Sequence, residues 1–346
     1  MARIVIAGAG AIGASIAYHL AARGAGEVVL ADRAEIASGA TGKAMGGVRQ
    51  QFSTEAEVRL ARESIGFFEE LGAPFFEQVG YLFFATTEAG LAELEARADL
   101  QRRLSVPVES VNASDVRGLN TDDVLGAVAC SEDGVAEPAE VTRELVRRAV
   151  ELGVEVRERT DAREVGHDVL VIAAGASSAE LSSDLPIRPL CRQLVEVGPV
   201  SGLPDALPMV LESETGFHFR RHGDRLRLAM SEPSPRWIDR EEVDEGLVAD
   251  WRQRLAHRYP AAAGAPLARA WAGLYDMTPD AHPVIGWVGE GIYAACGFSG
   301  HGFMQSPAVG RAVAEELLDG ESSFDLTPYR LERFEGATVF PEELVL

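Results

Sequence analysis

Lysine is almost absent from this 346-residue chain: of 32 basic residues only Lys43 is a lysine, and the others are arginines. Any role that an ammonium group commonly fills must fall to Lys43 or to a guanidinium. Positive charge as a whole is scarce. The formal net charge of −22 at pH 7 argues against a nucleic-acid partner, because phosphate binding needs clustered cations. Cysteine is scarce too: Cys130, Cys191 and Cys296 are widely spaced and form no CxxC pair. That excludes a disulfide framework or a cysteine-rich metal site, and no metal is expected. No apolar run approaches the ~20 residues that span a bilayer. Met1-Ala2-Arg3 runs straight into Ile4-Val5-Ile6-Ala7 with no cleavage site, so export is not expected and the cytoplasm is the expected compartment. No Ser/His/Asp triad, Walker loop or HExxH motif is present.

What is there points to an α/β protein. The length exceeds the ~100–200 residues usual for one domain, so two intimately packed domains are expected, and 47% apolar residues supply a substantial core. The N-terminus reads as a strand (Ile4-Val5-Ile6), a glycine-rich turn, a helix from Ala14 to Arg23, and a second strand (Val28-Val29-Leu30) ending at Asp32. A Gly-rich loop follows over 33–52. Thr54 and Glu57 read as a capping box for a helix closed by Gly72. An aromatic-rich strand over Gly80–Thr86 and a charged amphipathic helix over Glu88–Leu104 come next. Pro138 and Gly153 bracket another helix, and Val154–Val156 and Val169–Ile172 read as parallel-sheet strands. From about Pro186 to Pro266 the pattern changes to short alternating strands. A last strand, Ile292–Ala295, runs into Gly297–Gly302 and a helix expected over Pro307–Leu318.

Gly8, Gly10 and Gly13 match G-x-G-x-x-G between a strand and a helix, and Asp32 closes the next strand about 20 residues on. In that setting the first glycine permits the tight turn, the second lets the backbone approach a pyrophosphate, and the third allows close helix–strand packing. The helix start binds the anion through free N–H groups and its dipole, and Asp32 is placed for an adenosine ribose. Two features favour FAD over NAD. The chain returns to the nucleotide domain at its far end, and the loop after Asp32 carries Ser38-Gly39-Ala40-Thr41-Gly42-Lys43 before Gly46-Gly47-Val48-Arg49.

With these segments on the page the chain resembles the D-amino-acid oxidase superfamily of flavoenzymes, in the branch of glycine oxidase, sarcosine oxidase, and the β subunits of sarcosine oxidase and proline dehydrogenase. The matching segments are the N-terminal fingerprint, SGATGKAMGGVRQQF at 38–52, VLVIAAGASS at 169–178, YDMTPDAHPVIG at 275–286, GFSGHGFMQSPAVGR at 297–311 and LTPYRLERF at 326–334. The resemblance implies a Rossmann-type FAD-binding domain formed by 1–50, 130–182 and 285–346. Interleaved with it is an α+β substrate domain, 51–129 and 183–284, built on an antiparallel sheet. The implied cofactor contacts start with Gly8, Gly10, Ala11, Ile12, Gly13, Asp32 and Arg33, and continue through Ala40, Thr41, Lys43, Gly46 and Gly47. Ala162, Ala174 and Gly175 follow, and then Gly300, His301, Gly302, Phe303 and Met304 at the pyrimidine end of the flavin. There the helix start would stabilise the negative charge of the reduced ring.

The chain also departs from its relatives. Some of them tether FAD through a cysteine just before the tyrosine of the TPD motif, where this chain has Gly273-Leu274-Tyr275; others use a histidine where it has Lys43. Non-covalent FAD is therefore implied. The monomeric sarcosine oxidase ligands for the substrate carboxylate fall at Phe52 and Met304, and its oxygen-activating lysine falls at Arg227. The cations left for a carboxylate are Arg49, Arg220 and Arg227, with Arg220 the first choice. Phe52, Met304 and Met45 would make the rest of the pocket apolar. His218 and Arg220 share one face of a strand opposite Phe217 and Phe219, with substrate contact or plain surface exposure both open. Tyr275 matches an active-site tyrosine, with core packing as the alternative, and His301 either touches the flavin or packs. His167, His222 and His257 read as surface.

The implied reaction removes a hydride from the carbon beside an amine nitrogen of a small or N-substituted amino acid, giving an imine that water hydrolyses. The electron acceptor is expected to be O2, with an electron-accepting partner as the alternative. A non-catalytic flavin-binding assembly factor is a third reading.

Overall fold

The computed structural model describes residues 2–336 and 342. At its centre the apolar strand Arg3–Ala7 is flanked in parallel by Glu27–Ala31 and Val169–Ile172. Glu155–Arg157 extends the sheet on one side and Ile292–Cys296 on the other, again in parallel, and Val284–Gly289 closes it as an antiparallel edge. Strands buried on both faces read as unbroken apolar runs, which is why Val169–Ile172 was legible. The helices Ala11–Ala22, Pro138–Glu151 and Gly302–Asp319 pack together on one face of this sheet. A Cβ on Gly13 would stand 1.8 Å from the Gly8 carbonyl oxygen, so only glycine lets the first helix start this close to its strand.

The second sheet has eight strands. From one edge it runs Leu267–Met277, Arg188–Val197, Arg225–Ala229, His218–His222, Met209–Glu212, Tyr81–Ala85, Gly126–Cys130 and Val108–Val111. It is antiparallel except where Met209–Glu212 pairs in parallel with Tyr81–Ala85. Phe217, Phe219, Leu226 and Leu228 point from it into a core closed by Trp251 and Leu255. The opposite face of the same strands carries His218 and Arg220, which alternate with Phe217 and Phe219. A small third sheet joins Gly47–Val48 and Phe76–Glu77 to Gly134–Ala136.

Several elements differ from the sequence reading. The helix Glu245–Arg258 was not expected, although Val248, Trp251, Leu255 and Arg258 form its buried stripe and the Asp244 side chain accepts from the Gly246 and Leu247 N–H groups. The helix expected from Pro307 begins at Gly302 and carries Pro307 inside it. The proline cannot donate to the Phe303 carbonyl one turn back, and the Ser306 hydroxyl donates to that oxygen instead, at 2.9 Å. Only half of the expected capping box forms. Thr54 accepts from the Glu57 N–H, while the fully buried Glu57 carboxylate turns inward to the His282 ring at 2.8 Å and to Gln305.

Candidate active site

The loops at the C-terminal ends of the parallel strands and the inner face of the eight-stranded sheet enclose one continuous cavity of about 450 Å³. Ligand sites in open parallel sheets lie at this end, and the volume falls in the ~300–1,000 Å³ range of small-molecule sites. Its nucleotide half is built by the glycine turn. The Asp32 carboxylate accepts the Ala9 N–H and the Ala34 N–H, both at 2.7 Å, and Thr41 Oγ accepts the Ala11 N–H at 3.1 Å. Two helix N-termini, at Ala11 and Gly302, open on the same space. The first N–H groups of each have no intrahelical acceptor. The loop after Ile292–Cys296 is held by Asp276, whose Oδ2 accepts the Gly297 N–H at 2.7 Å while its carbonyl accepts the Ser299 N–H. Burial raises the Asp276 carboxyl pKa, and these N–H groups oppose the shift. Gly300, at φ +95°, lets that loop lie against Tyr275: a Cβ there would come within 2.4 Å of the ring.

The other half of the cavity is lined by strand side chains. Arg192 stands opposite Gly273 in the pairing of Arg188–Val197 with Leu267–Met277, its guanidinium 5.9 Å from the Tyr275 ring centre. Its Nε and Nη1 are buried and have no hydrogen-bond partner among the described residues. A guanidinium withdrawn from water without an anion is costly unless a ligand supplies one. His218 lines the same space, with Nδ1 2.7 Å from the Gly216 carbonyl oxygen. Burial pushes its pKa down to about 4, with Arg49 and Arg192 adding to the shift against the Gly216 bond. Arg49 is fully buried, lies over the Phe52 ring at 4.1 Å and donates to the Gln51 carbonyl. Met45, Leu194, Met209, Met230 and Met304 complete an apolar wall around these polar groups.

Of the residues expected at the cofactor, all but Gly13 line this cavity; Gly13 packs beneath Gly8. Arg49, His218, Tyr275 and His301 line it too, as do Met45 and Met304. Four expectations need correction. Arg220, the first choice for a substrate carboxylate, is turned away from the cavity. It donates to the Met45 carbonyl at 2.7 Å and pairs with Glu137. Arg227 is likewise engaged, between Glu196 at 2.8 Å and Glu137 at 2.9 Å, so the expected oxygen-activating cation is absent from the pocket wall. Phe52 is fully buried beneath Arg49 and edge-on to His301 rather than at the pocket surface. His222, expected at the surface, is half-buried beside Arg227 at 2.8 Å.

The sequence reading missed Arg192, Tyr81, Asp161 and Glu241, all of which line the cavity. For Arg192 a signal existed. It shares one face of its strand with Leu190 and Leu194, and in the flanking run Leu190, Cys191, Gln193, Leu194 and Val195 are all buried. An arginine among residues buried on both faces of a strand requires an anion or a ligand.

The cavity's donor set fits a flavin dinucleotide: a carboxylate beside a glycine turn, two helix N-termini, and space at Gly10, where an added Cβ would meet only Thr41 Oγ, at 3.1 Å. A family model described as "FAD dependent oxidoreductase" (DAO) matches residues 3–316. The chain is 27% identical to the glycine oxidase of Geobacillus kaustophilus, over 96% of this chain and 97% of that one. It is 26% identical to 4-methylaminobutanoate oxidase (formaldehyde-forming) of Paenarthrobacter nicotinovorans, again over 96% of this chain but only 46% of that protein's length. Among solved structures it is similar to L-proline dehydrogenase from P. horikoshii, with 27% identity, a TM-score of 0.89, and coverage of 96% of this chain and 98% of the other.

Proposed function

This chain belongs to the DAO family of FAD-dependent oxidoreductases, and from that premise we propose that it oxidises the C–N bond of a small amino acid, preferably an N-substituted one. The observation that carries this reading is Arg192, a half-buried side chain whose Nε and Nη1 are buried and have no partner among the described residues, in an otherwise largely apolar pocket. A bidentate arginine is the usual ligand for a carboxylate. Glycine oxidase, proline dehydrogenase and 4-methylaminobutanoate oxidase are named for substrates that carry both an amine nitrogen and a carboxylate. When bound, FAD supplies the hydride acceptor for the carbon beside the nitrogen.

The chain's own residues bind and orient. The turn Gly8–Gly13 and the helix start at Ala11 would hold the pyrophosphate, and Asp32 the adenosine ribose. The loop at Gly300–Met304 would meet the ring, and Arg192 with Tyr275 would fix the substrate carboxylate so that its C–H faces the flavin. Met45, Met209 and Met304 would accept an N-alkyl group, because thioether side chains adapt to irregular shapes. We assign the FAD-binding unit to 1–50, 130–182 and 285–346, of which 1, 337–341 and 343–346 lie outside the described residues, and the substrate unit to 51–129 and 183–284.

For the electron acceptor, O2 is the first reading through the likeness to glycine oxidase. The position of Arg227, bound by Glu137 and Glu196, favours the second: a dehydrogenase that hands electrons to a partner. Anaerobic mixing with glycine, sarcosine, proline and longer N-alkyl glycines tests the substrate class through bleaching of the flavin band. The rate constant over Kd should rise with the apolar group, and failure of every amino acid to bleach the band would end the proposal. Reoxidation in air no faster than that of free reduced flavin identifies the dehydrogenase.

A further inference from the structure

We propose that His218 receives the proton of the substrate's ammonium group through Nε2, because the Gly216 carbonyl fixes the proton of its neutral ring on Nδ1. A carbonyl oxygen only accepts, so the 2.7 Å contact requires an Nδ1–H donor. Nε2 is then a bare lone pair. It carries no hydrogen bond among the described residues, and the side chain lines the cavity. The inference rests on the reading that the cavity binds an amino acid.

The chemistry demands such an acceptor. In neutral water an amino acid carries an ammonium group, whose nitrogen has no lone pair to form the C=N bond of an imine. One N–H bond must break, with its electron pair left on nitrogen and the proton passed to a base; no electrons leave the substrate in that step. Of the other titratable groups on the cavity wall, Asp32 holds the Ala9 and Ala34 N–H groups, Asp161 pairs with Arg163, and His301 lies at the start of helix Gly302–Asp319 with its ring edge-on to Phe52. The Asp276 carboxylate holds the Gly297 N–H, Glu241 is paired with Lys43, and the Tyr81 and Tyr275 hydroxyls are made still weaker acids by burial.

Proton uptake is coupled to substrate binding. On the paired strands the neighbours of His218 are Leu211 and Ala229, neither of which titrates. The charged groups that act on it are Arg49 and Arg192, and together with burial they hold its ring neutral down to about pH 4. A carboxylate seated on Arg192 offsets one of those two cations. That part of the downward shift is opposed when the carboxylate is seated. An amine without a carboxylate leaves the Arg192 cation uncompensated.

Two measurements on the FAD-loaded protein test this. Histidine ¹⁵N NMR of the wild type at pH 7 should show His218 as the Nδ1–H tautomer, and an Nε2–H tautomer overturns the proposal whatever the activity. In His218→Gln the rate of flavin reduction by an N-alkyl glycine at pH 7 should fall by about 10²–10⁴-fold. It should recover as pH rises toward the substrate ammonium's own pKa, where the substrate arrives already neutral. A variant whose pH profile matches wild type removes the role of His218 while leaving the amino-acid reading intact. A wild type that no amino acid reduces removes that reading itself.

Discussion

Arg220 donates from Nε to the carbonyl oxygen of Met45 at 2.7 Å, and so fastens from behind the loop whose front, Met45–Gly47, lines the cavity. Its Nη2 extends the clamp to the Ala136 carbonyl and the Glu137 carboxylate. Burial lowers the Arg220 pKa and Glu137 opposes the shift. The guanidinium therefore holds the cavity wall and is not available to a ligand.

Arg220→Ala should cost roughly 1.5–3 kcal/mol of stability, the usual loss for hydrogen bonds to a charged group, and should weaken FAD binding. Once saturated with FAD, the variant should bind substrate carboxylates nearly as wild type does. Denaturant unfolding and flavin titration measure the two effects. A selective loss of carboxylate binding with normal flavin affinity would restore Arg220 as a substrate ligand.

Flavin should be releasable. The two positions where relatives form tethers lie together here: a Cβ on Gly273 would sit 3.3 Å from Lys43 Cβ. Lys43 itself is paired with Glu241. The three cysteines are buried, and none is among the cavity-lining residues. Acid precipitation should leave all the yellow colour in the supernatant, and colour retained in the washed pellet would show a covalent bond.

Acid should destabilise the fold through its buried histidines. Burial, reinforced by Arg311, lowers the His19 pKa from 6.5 to about 4, and His218 moves the same way. Between those pH values the unfolded chain binds a proton that the folded chain refuses. Stability is thus full above about pH 6.5 and is lost as pH falls toward 4, by about 3 kcal/mol for each such histidine. Asp133, pushed by burial up to about 6, has the opposite sign: its share falls as pH rises from about 4 to 6. The His19 ring packs against Tyr18 at 5.1 Å and Phe67 at 5.9 Å, and its Nε2 has no partner among the described residues, so phenylalanine suits the site. In His19→Phe the difference in unfolding free energy between pH 7 and pH 4.5 should shrink by about 2–3 kcal/mol; an unchanged difference contradicts the assignment.

The nucleotide half of the molecule was legible in the sequence because each of its devices is local. The glycines, the strand before them, the helix after them and Asp32 fall within one βαβ stretch, and each has a mechanical reason to be there. The substrate half was not, because its side chains meet through pairing between distant strands. Nothing local to Arg220 shows that Glu137 and the Met45 carbonyl will occupy it. Nothing near Arg192 shows that Gly273 and Tyr275 will flank it. The alternation that put His218 and Arg220 on one strand face was correct, yet their roles separate: His218 lines the cavity and Arg220 passes behind its wall. Helix Gly302–Asp319 was shortened in the reading because Pro307 resembles a start, and the Ser306 hydroxyl that repairs the proline's gap acts only once the helix has formed.

The central claim is that Arg192 anchors a substrate carboxylate. It is tested most directly by anaerobic flavin reduction in wild type and Arg192→Ala, each offered an N-alkyl glycine and the amine that remains when its carboxylate is removed. Wild type should favour the amino acid strongly. The variant should lose about 2–5 kcal/mol of that preference, the range for truncating one partner of a desolvated charge pair, with little change toward the amine. Equal reduction of wild type by both compounds, or a variant as selective as wild type, would contradict the account.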